Sequence, residues 1–149
     1  MKTHACSPHK MMFGLLLLLL VNVARAQDEH PRITINVPFN FNIGNRSFSA
    51  GEYNLKGLEQ HTTMLQNQSG RTLTDIASNS IQSTRIPQSN QLIFNCYNQH
   101  YFLSQIWEAD NNIGRQLVKS RAEIEIAQSV GSPAEQIAVP VHHHRWTAH

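Results

Sequence analysis

Residues 91–108 read QLIFNCYNQHYFLSQIWE, which is two runs of strand-forming residues separated by a short polar segment. β-Branched and aromatic side chains favour extended backbone, and a short polar connection between two such runs is typical of a β-hairpin. In the second run, Tyr101, Leu103 and Trp107 alternate with Phe102 and Ile106, so large apolar side chains lie on both faces. We therefore expect this hairpin to lie in the middle of a sheet that is covered on both sides.

The strand pattern continues through the N-terminal half of the chain. Apolar residues at every second position between Arg32 and Ile43 predict one long strand that is bent, or lies at a sheet edge, at Pro38. Further strands are expected at three places: residues 52–58, 62–66 and 72–78. The last two are expected to form a hairpin. The polar residues 79–91 predict a long connection with one short strand around Ile81.

One helix is predicted near the C-terminal end. Ser120 and Glu123 have the spacing of a capping box, in which the two side chains accept hydrogen bonds from backbone amides of the first turn. Apolar residues then recur every three to four positions until Gly131, which predicts a helix over about residues 121–130. Residues 132–149 lack a regular period and are expected to form a flexible, histidine-containing tail.

Together these elements predict an all-β fold, mainly antiparallel, in the form of a single β-sandwich or small barrel with one C-terminal α-helix. The sequence shows no internal repeat. The β domain, including its helix, is expected to span residues 27–131, a length that fits one domain with one modest core.

Residues 1–26 have the three parts of a secretory signal peptide. A basic segment is followed by an apolar run and then by Ala24-Arg25-Ala26, so cleavage is expected between Ala26 and Gln27. The apolar run is shorter than the ~20 residues that span a bilayer, which disfavours an uncleaved anchor. We therefore expect a secreted or periplasmic protein with no transmembrane segment after removal of the signal.

Removal of the signal changes both the charge and the cysteine count. The full chain has 12 basic and 10 acidic residues, and three of the basic residues lie in the signal. The remaining net charge of −1 disfavours binding to nucleic acid through bulk charge. Cys6 also lies in the signal, which leaves Cys96 without an intramolecular partner. Cys96 shares a strand face with Leu92 and Phe94, which favours a buried structural thiol over an intermolecular disulfide.

Two groups of residues are candidates for binding in the β domain. One strand face would line a ligand cavity with three residues: Tyr101, Leu103 and Trp107. Three basic residues beside the helix start are candidates for contact with an anion: Arg115, Lys119 and Arg121. The favoured role of these basic residues is ion pairing with Glu123, Glu125 or Asp110. Packing within the core is likewise the favoured role of the aromatic residues.

The tail contains the weak metal candidates His142, His143 and His144. Consecutive residues of a strand or coil point in different directions, so the three imidazoles do not readily converge on one ion. The chain has no Gly-x-Ser-x-Gly elbow and no His-Glu-x-x-His pair. We accordingly expect no catalytic residues and no cofactor.

Several short motifs occur in a fixed order along the chain. VPFNF (37–41) precedes AGEY (50–53), and YFLSQIW (101–107) precedes GR (114–115) and KSRAE (119–123). Their order resembles a family of small exported proteins of unknown function, common in soil acidobacteria, with the patterns VPFDF…AGxY and YFLSxxW…GRxLxxSxAE. The resemblance covers most of residues 37–127 and implies a bacterial envelope or secreted protein. It brings no catalytic residues, and Asn40 stands where Asp is common in the family.

The leading functional hypothesis is therefore a non-enzymatic binding or structural protein of the cell envelope. A carrier of a small hydrophobic ligand, with a barrel-like interior, is the alternative. The third hypothesis is a metal-dependent enzyme. A solvent-open cavity lined by Tyr101, Leu103 and Trp107 would favour the carrier, whereas an interior filled with side chains would oppose it.

Overall fold

The computed structural model describes residues 33–57 and 62–141. The strands in this part of the chain are β1 (Ile33–Val37), β2 (Phe41–Ile43), β3 (Arg46–Phe48), β4 (Gly51–Lys56), β5 (Thr62–Gln66), β6 (Thr72–Gln82), β7 (Gln91–Tyr97), β8 (His100–Trp107), β9 (Ile113–Leu117) and β10 (Glu135–Pro140). The helix α1 (Arg121–Val130) lies between β9 and β10. The predicted all-β fold, mainly antiparallel with one helix near its C-terminal end, is confirmed.

Pro38 divides the first predicted strand into two. The predicted alternation is present, since Ile33, Ile35 and Val37 are all buried. However, β1 pairs with β4, whereas β2 pairs with β3 and β8. Proline has no amide hydrogen and a fixed φ, so the chain leaves one ladder at Pro38 and enters another at Phe41. The predicted bend is correct, and the predicted continuous strand is wrong.

The predicted hairpin of residues 91–108 lies at the centre of the sheet. β7 pairs with β8 along its whole length. The other edge of β8 carries two strands in succession, with β2 parallel at residues 101–102 and β9 antiparallel at residues 105–106. β10 pairs with the outer edge of β7. The hairpin therefore connects the N-terminal and C-terminal strands of one mixed sheet.

β6 changes its partner at its middle. Residues 72–77 pair with β5, as the predicted hairpin requires. The strand then continues through residues 78–82, so the short strand expected around Ile81 is the second half of β6, and this half pairs with β9. β9 was not predicted, because its sequence has only Ile113 and Leu117 as large apolar residues.

A single apolar cluster occupies the interior. Phe41 and Phe94 are both fully buried, and their rings meet edge to face with centroids 5.6 Å apart. Nine of the ten described strands, and the residue after β10, contribute the cluster: Ile33, Ile35, Val37, Phe41, Ile43, Leu55, Leu65, Ile76, Leu92, Phe94, Leu103, Ile106, Leu117, Val139 and Val141. Burial of this apolar surface is the main favourable contribution to the free energy of folding.

α1 begins and ends where the sequence predicts. The hydroxyl of Ser120 accepts a hydrogen bond from the amide of Glu123 at 3.1 Å. Gly131 ends the helix in the left-handed conformation, with φ of 66°. The Glu123 carboxylate departs from the expected capping box because it turns into the protein, where Glu123 is only 4% exposed.

The predicted flexible tail contains a strand. β10 pairs antiparallel with β7, and Val139 and Val141 enter the apolar cluster. Backbone pairing and burial therefore stabilise a segment whose sequence period is weak. The tail prediction is wrong for residues 132–141, and residues 142–149 lie outside the described part of the chain.

Candidate functional site

An open cleft lies where β6 and β9 separate. Ser78 and Leu117 are the last residues that pair these two strands. Before Ser78, β6 pairs with β5, whereas the chain after Leu117 leads into α1. The start of the β2–β3 turn, at Ile43 and Gly44, also borders the cleft. Its volume of about 450 Å³ falls within the range of small-ligand pockets, roughly 300–1,000 Å³.

The lining of the cleft is mostly aliphatic, with a few polar groups. The aliphatic lining residues are Ile43, Ile76, Ala77, Leu117 and Val118. The polar lining residues are Thr62, Asp75, Ser78, Asn79 and Ser120. Asp75 is the one ionisable residue among those described as lining the cleft. Val118 is 72% exposed, which makes it the most exposed large aliphatic side chain of the described residues.

The cleft runs along the edge of β6. Five consecutive residues, Asp75 to Asn79, line it. Because side chains alternate between the two faces of a strand, consecutive residues line one space together where that space meets the strand edge. Residues 75–77 pair with β5, and no second strand pairs with them among the described residues. One edge of β6 therefore presents backbone groups to the cleft.

The opposite wall is the connection between β9 and α1. Val118 and Ser120 line the cleft, whereas Lys119 between them does not. Ser120 is fixed by its role as N-cap of α1. The side-chain oxygen of Asn45, in the β2–β3 turn, accepts a long hydrogen bond of 3.5 Å from the amide of Ala122. The position of α1 therefore sets the position of this wall.

A polar anchor, formed by Asn95, Tyr97, Lys119 and Glu123, attaches α1 to β7. The Glu123 carboxylate accepts hydrogen bonds from the Asn95 amide at 2.9 Å and from the Tyr97 hydroxyl at 3.1 Å. The Lys119 ammonium in turn donates to the Tyr97 oxygen at 3.1 Å. A buried carboxylate is costly unless donors surround it, and these contacts offset that cost.

The same anchor favours the charged form of its lysine. The hydrogen bond to Tyr97 raises the pKa of Lys119 above its ordinary value. Partial desolvation lowers the pKa, and the charges of Tyr97 and Glu123 raise it further. Because this pKa lies above the ordinary 10.5, Lys119 is a cation at neutral pH.

The three residues expected to line a cavity have separate surroundings. Leu103 lies in the apolar cluster. Tyr101 is half-buried and stacks on Phe39 with ring centroids 3.9 Å apart. Trp107 lies over Gly114, where an added Cβ would come within 2.5 Å of the indole ring, so only glycine fits there. None of the three lines the cleft between β6 and α1.

The basic residues beside the helix have separate positions as well. Arg115 lies in β9 opposite Ser80. Arg121 forms an exposed ion pair with Glu125 at 2.8 Å, as expected. Lys119 belongs to the polar anchor. Ion pairing and hydrogen bonding within the protein thus account for Lys119 and Arg121.

The remaining candidates concern cysteine and metal. Cys96 is a free thiol and is half-buried, not fully buried as expected. Within residues 33–57 and 62–141, no three His, Cys, Asp or Glu side chains are grouped to hold a metal ion. No helix in these residues is long and apolar enough to cross a membrane. Ala26, Gln27 and the candidates His142, His143 and His144 lie outside the described residues.

Sequence reasoning missed both the cleft and the inward turn of Glu123. The cleft depends on the separation of β6 from β9, and β9 carries almost no sequence signal. A signal for the anchor was present, because Asn95 is a polar residue in the middle of an apolar strand and shares a face with Tyr97. Comparison of the chain with family models, curated proteins and solved structures gave no match.

Proposed function

We propose that the chain is an exported β protein of the cell envelope that acts by binding at its surface, without catalysing a reaction. The signal-like segment 1–26 supports export. The resemblance of its motifs to small exported proteins supports the same assignment. The net charge of −1 beyond Ala26 favours recognition through local contacts over attraction by bulk charge.

The observation that supports the proposal most directly is where the described fold leaves room for a ligand. Phe94 and Leu103 occupy the middle of the described fold, together with the other members of the apolar cluster. A carrier with a barrel-like interior would need a cavity at that place. The cleft borders the cluster at Ile43, Ile76 and Leu117, and it is open to solvent between β6 and the wall at Val118. Binding at the surface is therefore favoured over transport of a ligand in the interior.

Native mass spectrometry of the protein from its own host tests this proposal. The full chain is expressed and recovered from the periplasm and the medium. The expected species begins at Gln27 and retains a bound molecule or partner subunit. The variant Val118→Asp, which places a charge in the aliphatic wall, is expected to lose that partner. Ile113→Asp is the matched control, since Ile113 is 53% exposed and lies outside this cleft.

Export and binding at the cleft can each be contradicted by a separate result. Recovery of the chain from the cytoplasm with residues 1–26 attached would contradict export. Equal loss of the bound species in Val118→Asp and Ile113→Asp would contradict binding at the cleft. A hydrophobic ligand retained by both variants would restore the carrier.

A further inference from the structure

The cleft meets β6 along its edge, and this geometry indicates the shape of its occupant. Residues 75–77 pair with β5 on one side only, among the described residues. A strand edge presents a row of backbone donors and acceptors, which pairs best with another extended chain.

A contact on the same strand supports this interpretation. The backbone carbonyl of Leu73 accepts a hydrogen bond from the guanidinium of Arg46, which lies in β3. Leu73 lies where the register of the β5–β6 ladder shifts and has no paired residue in β5, so a side chain bonds this carbonyl. Arg46 does not line the cleft. Asp75, Ile76 and Ala77, in contrast, line the cleft.

The charge and polarity of the walls indicate the side chains of the occupant. Asp75 supplies the one ionisable group among the described lining residues, and no lysine or arginine lines the cleft. Leu117 and Val118 provide an aliphatic surface on the opposite side. The N-terminus of α1 favours anions, but Ser120 already caps it. Local complementarity thus favours a basic side chain beside Asp75 and an aliphatic one beside Val118.

We propose that the cleft binds an extended peptide segment of a partner protein, which adds as a strand to the free edge of β6 and places a basic side chain beside Asp75. This inference rests on the proposed function, because it names the partner class for the same cleft. Main-chain hydrogen bonds supply much of the affinity in this mode of binding, and side-chain contacts supply the specificity.

Isothermal titration of the chain from Gln27 with three kinds of synthetic peptide tests the proposal. The first peptide has capped ends and alternating valine and threonine around a central lysine. The second replaces that lysine with glutamate. The third keeps every side chain of the first but carries N-methyl groups on alternate backbone amides, in each of the two possible registers. N-methylation removes hydrogen-bond donors and blocks strand pairing while it preserves the side chains.

The lysine peptide is expected to bind. The N-methylated form whose methyl groups face β6 is expected to lose that binding, whereas the form methylated on the opposite edge should keep it, because successive amides of a strand point to opposite edges. The lysine peptide should bind up to about fivefold more tightly than the glutamate peptide, as for a partly exposed charge pair. Asp75→Asn should abolish this preference. Asp110→Asn is the matched control, because Asp110 is an exposed turn residue outside the cleft, with φ of 60° that asparagine also tolerates.

Four results would overturn the inference. Unchanged binding of both N-methylated forms would show that the cleft recognises side chains without strand addition. A lysine preference that persists in Asp75→Asn would remove the role of this carboxylate. If truncation of residues 142–149 makes the lysine peptide bind more than about tenfold tighter, the occupant is a segment of this chain. Failure of every peptide, while Val118→Asp still loses its native partner, would reject the peptide and leave the proposed function intact.

Discussion

The two faces of β7 are stabilised by different physical interactions. On one face, Leu92 and Phe94 are buried in the apolar cluster. On the other face, Asn95 and Tyr97 are also buried but bind the carboxylate of Glu123 on α1. Apolar burial tolerates small shifts in position, whereas hydrogen bonds to a buried carboxylate require defined distances and angles. The apolar face therefore stabilises the sheet, and the polar face fixes where the helix lies.

Loss of the apolar face is expected to have the largest effect. Phe94→Ala should lower the free energy of unfolding by about 3–5 kcal/mol, because it removes buried surface and leaves a cavity. Urea denaturation of the chain from Gln27 measures the change. Phe94→Leu is the companion variant for the case in which the alanine variant does not fold, with an expected loss of about 1.5 kcal/mol or less. A loss below 1 kcal/mol for Phe94→Ala would contradict a close-packed interior.

Loss of the polar anchor should have the next largest effect. Glu123→Ala leaves the donors of Asn95 and Tyr97 without an acceptor, so the free energy of unfolding should fall by about 1–3 kcal/mol. Glu125→Ala is the control on the same helix, where an exposed ion pair contributes about 0–1 kcal/mol. Urea denaturation and far-ultraviolet circular dichroism of both variants make the comparison. Equal effects would show that the buried carboxylate does not hold α1.

Removal of the N-cap should have a smaller effect that is confined to one element. Ser120→Ala should cost about 1 kcal/mol, because the amide of Glu123 loses its acceptor. Hydrogen exchange is expected to accelerate in the first turn of α1 and to stay unchanged in β7 and β8. Acceleration that spreads evenly through the sheet would show that the cap stabilises the whole fold instead of the wall beside Val118.

Replacement of Lys119 in the polar anchor should have the smallest effect on the free energy of unfolding at neutral pH. This effect should also depend on pH in a characteristic way. Folding raises the pKa of Lys119 above its ordinary 10.5, so its contribution to stability is fully present below that pH and is lost as the pH rises through the raised value. Lys119→Met should therefore cost up to about 1 kcal/mol at pH 7, since the side chain is largely exposed. Denaturation at pH 7 and at pH 11 checks this. A wild-type advantage over Lys119→Met that grows with pH would contradict the assignment.

Sequence patterns predicted the regions in which local chemistry and tertiary contacts agree. The β7–β8 hairpin and α1 have strong local signals, which are apolar strands around a short turn and a Ser120 cap with Gly131 at the end. β9 and β10 have weak signals, and their conformation depends on strands that are distant in sequence. The cleft follows from the partner change of β6, so local periodicity does not reveal it.

The buried carboxylate illustrates a second kind of limit. The spacing from Ser120 to Glu123 correctly predicts a helix start, and the same spacing suggests that Glu123 faces the backbone of its own helix. In the fold, Asn95 and Tyr97 of β7 donate hydrogen bonds to this carboxylate. The hydrogen-bond partner of Glu123 therefore cannot be predicted from its own helix alone, because the donors on β7 are distant in sequence.

Amide hydrogen exchange, measured by NMR on the chain from Gln27 without any ligand, tests most directly whether β6 keeps an open edge beside a filled interior. The cleft-facing amides within residues 75–77 should exchange much faster than the paired amides of residues 78–82 and of β7 and β8. Equally slow exchange along the whole of β6 would mean that its edge is already paired. Fast exchange throughout β7 and β8 would contradict the filled interior.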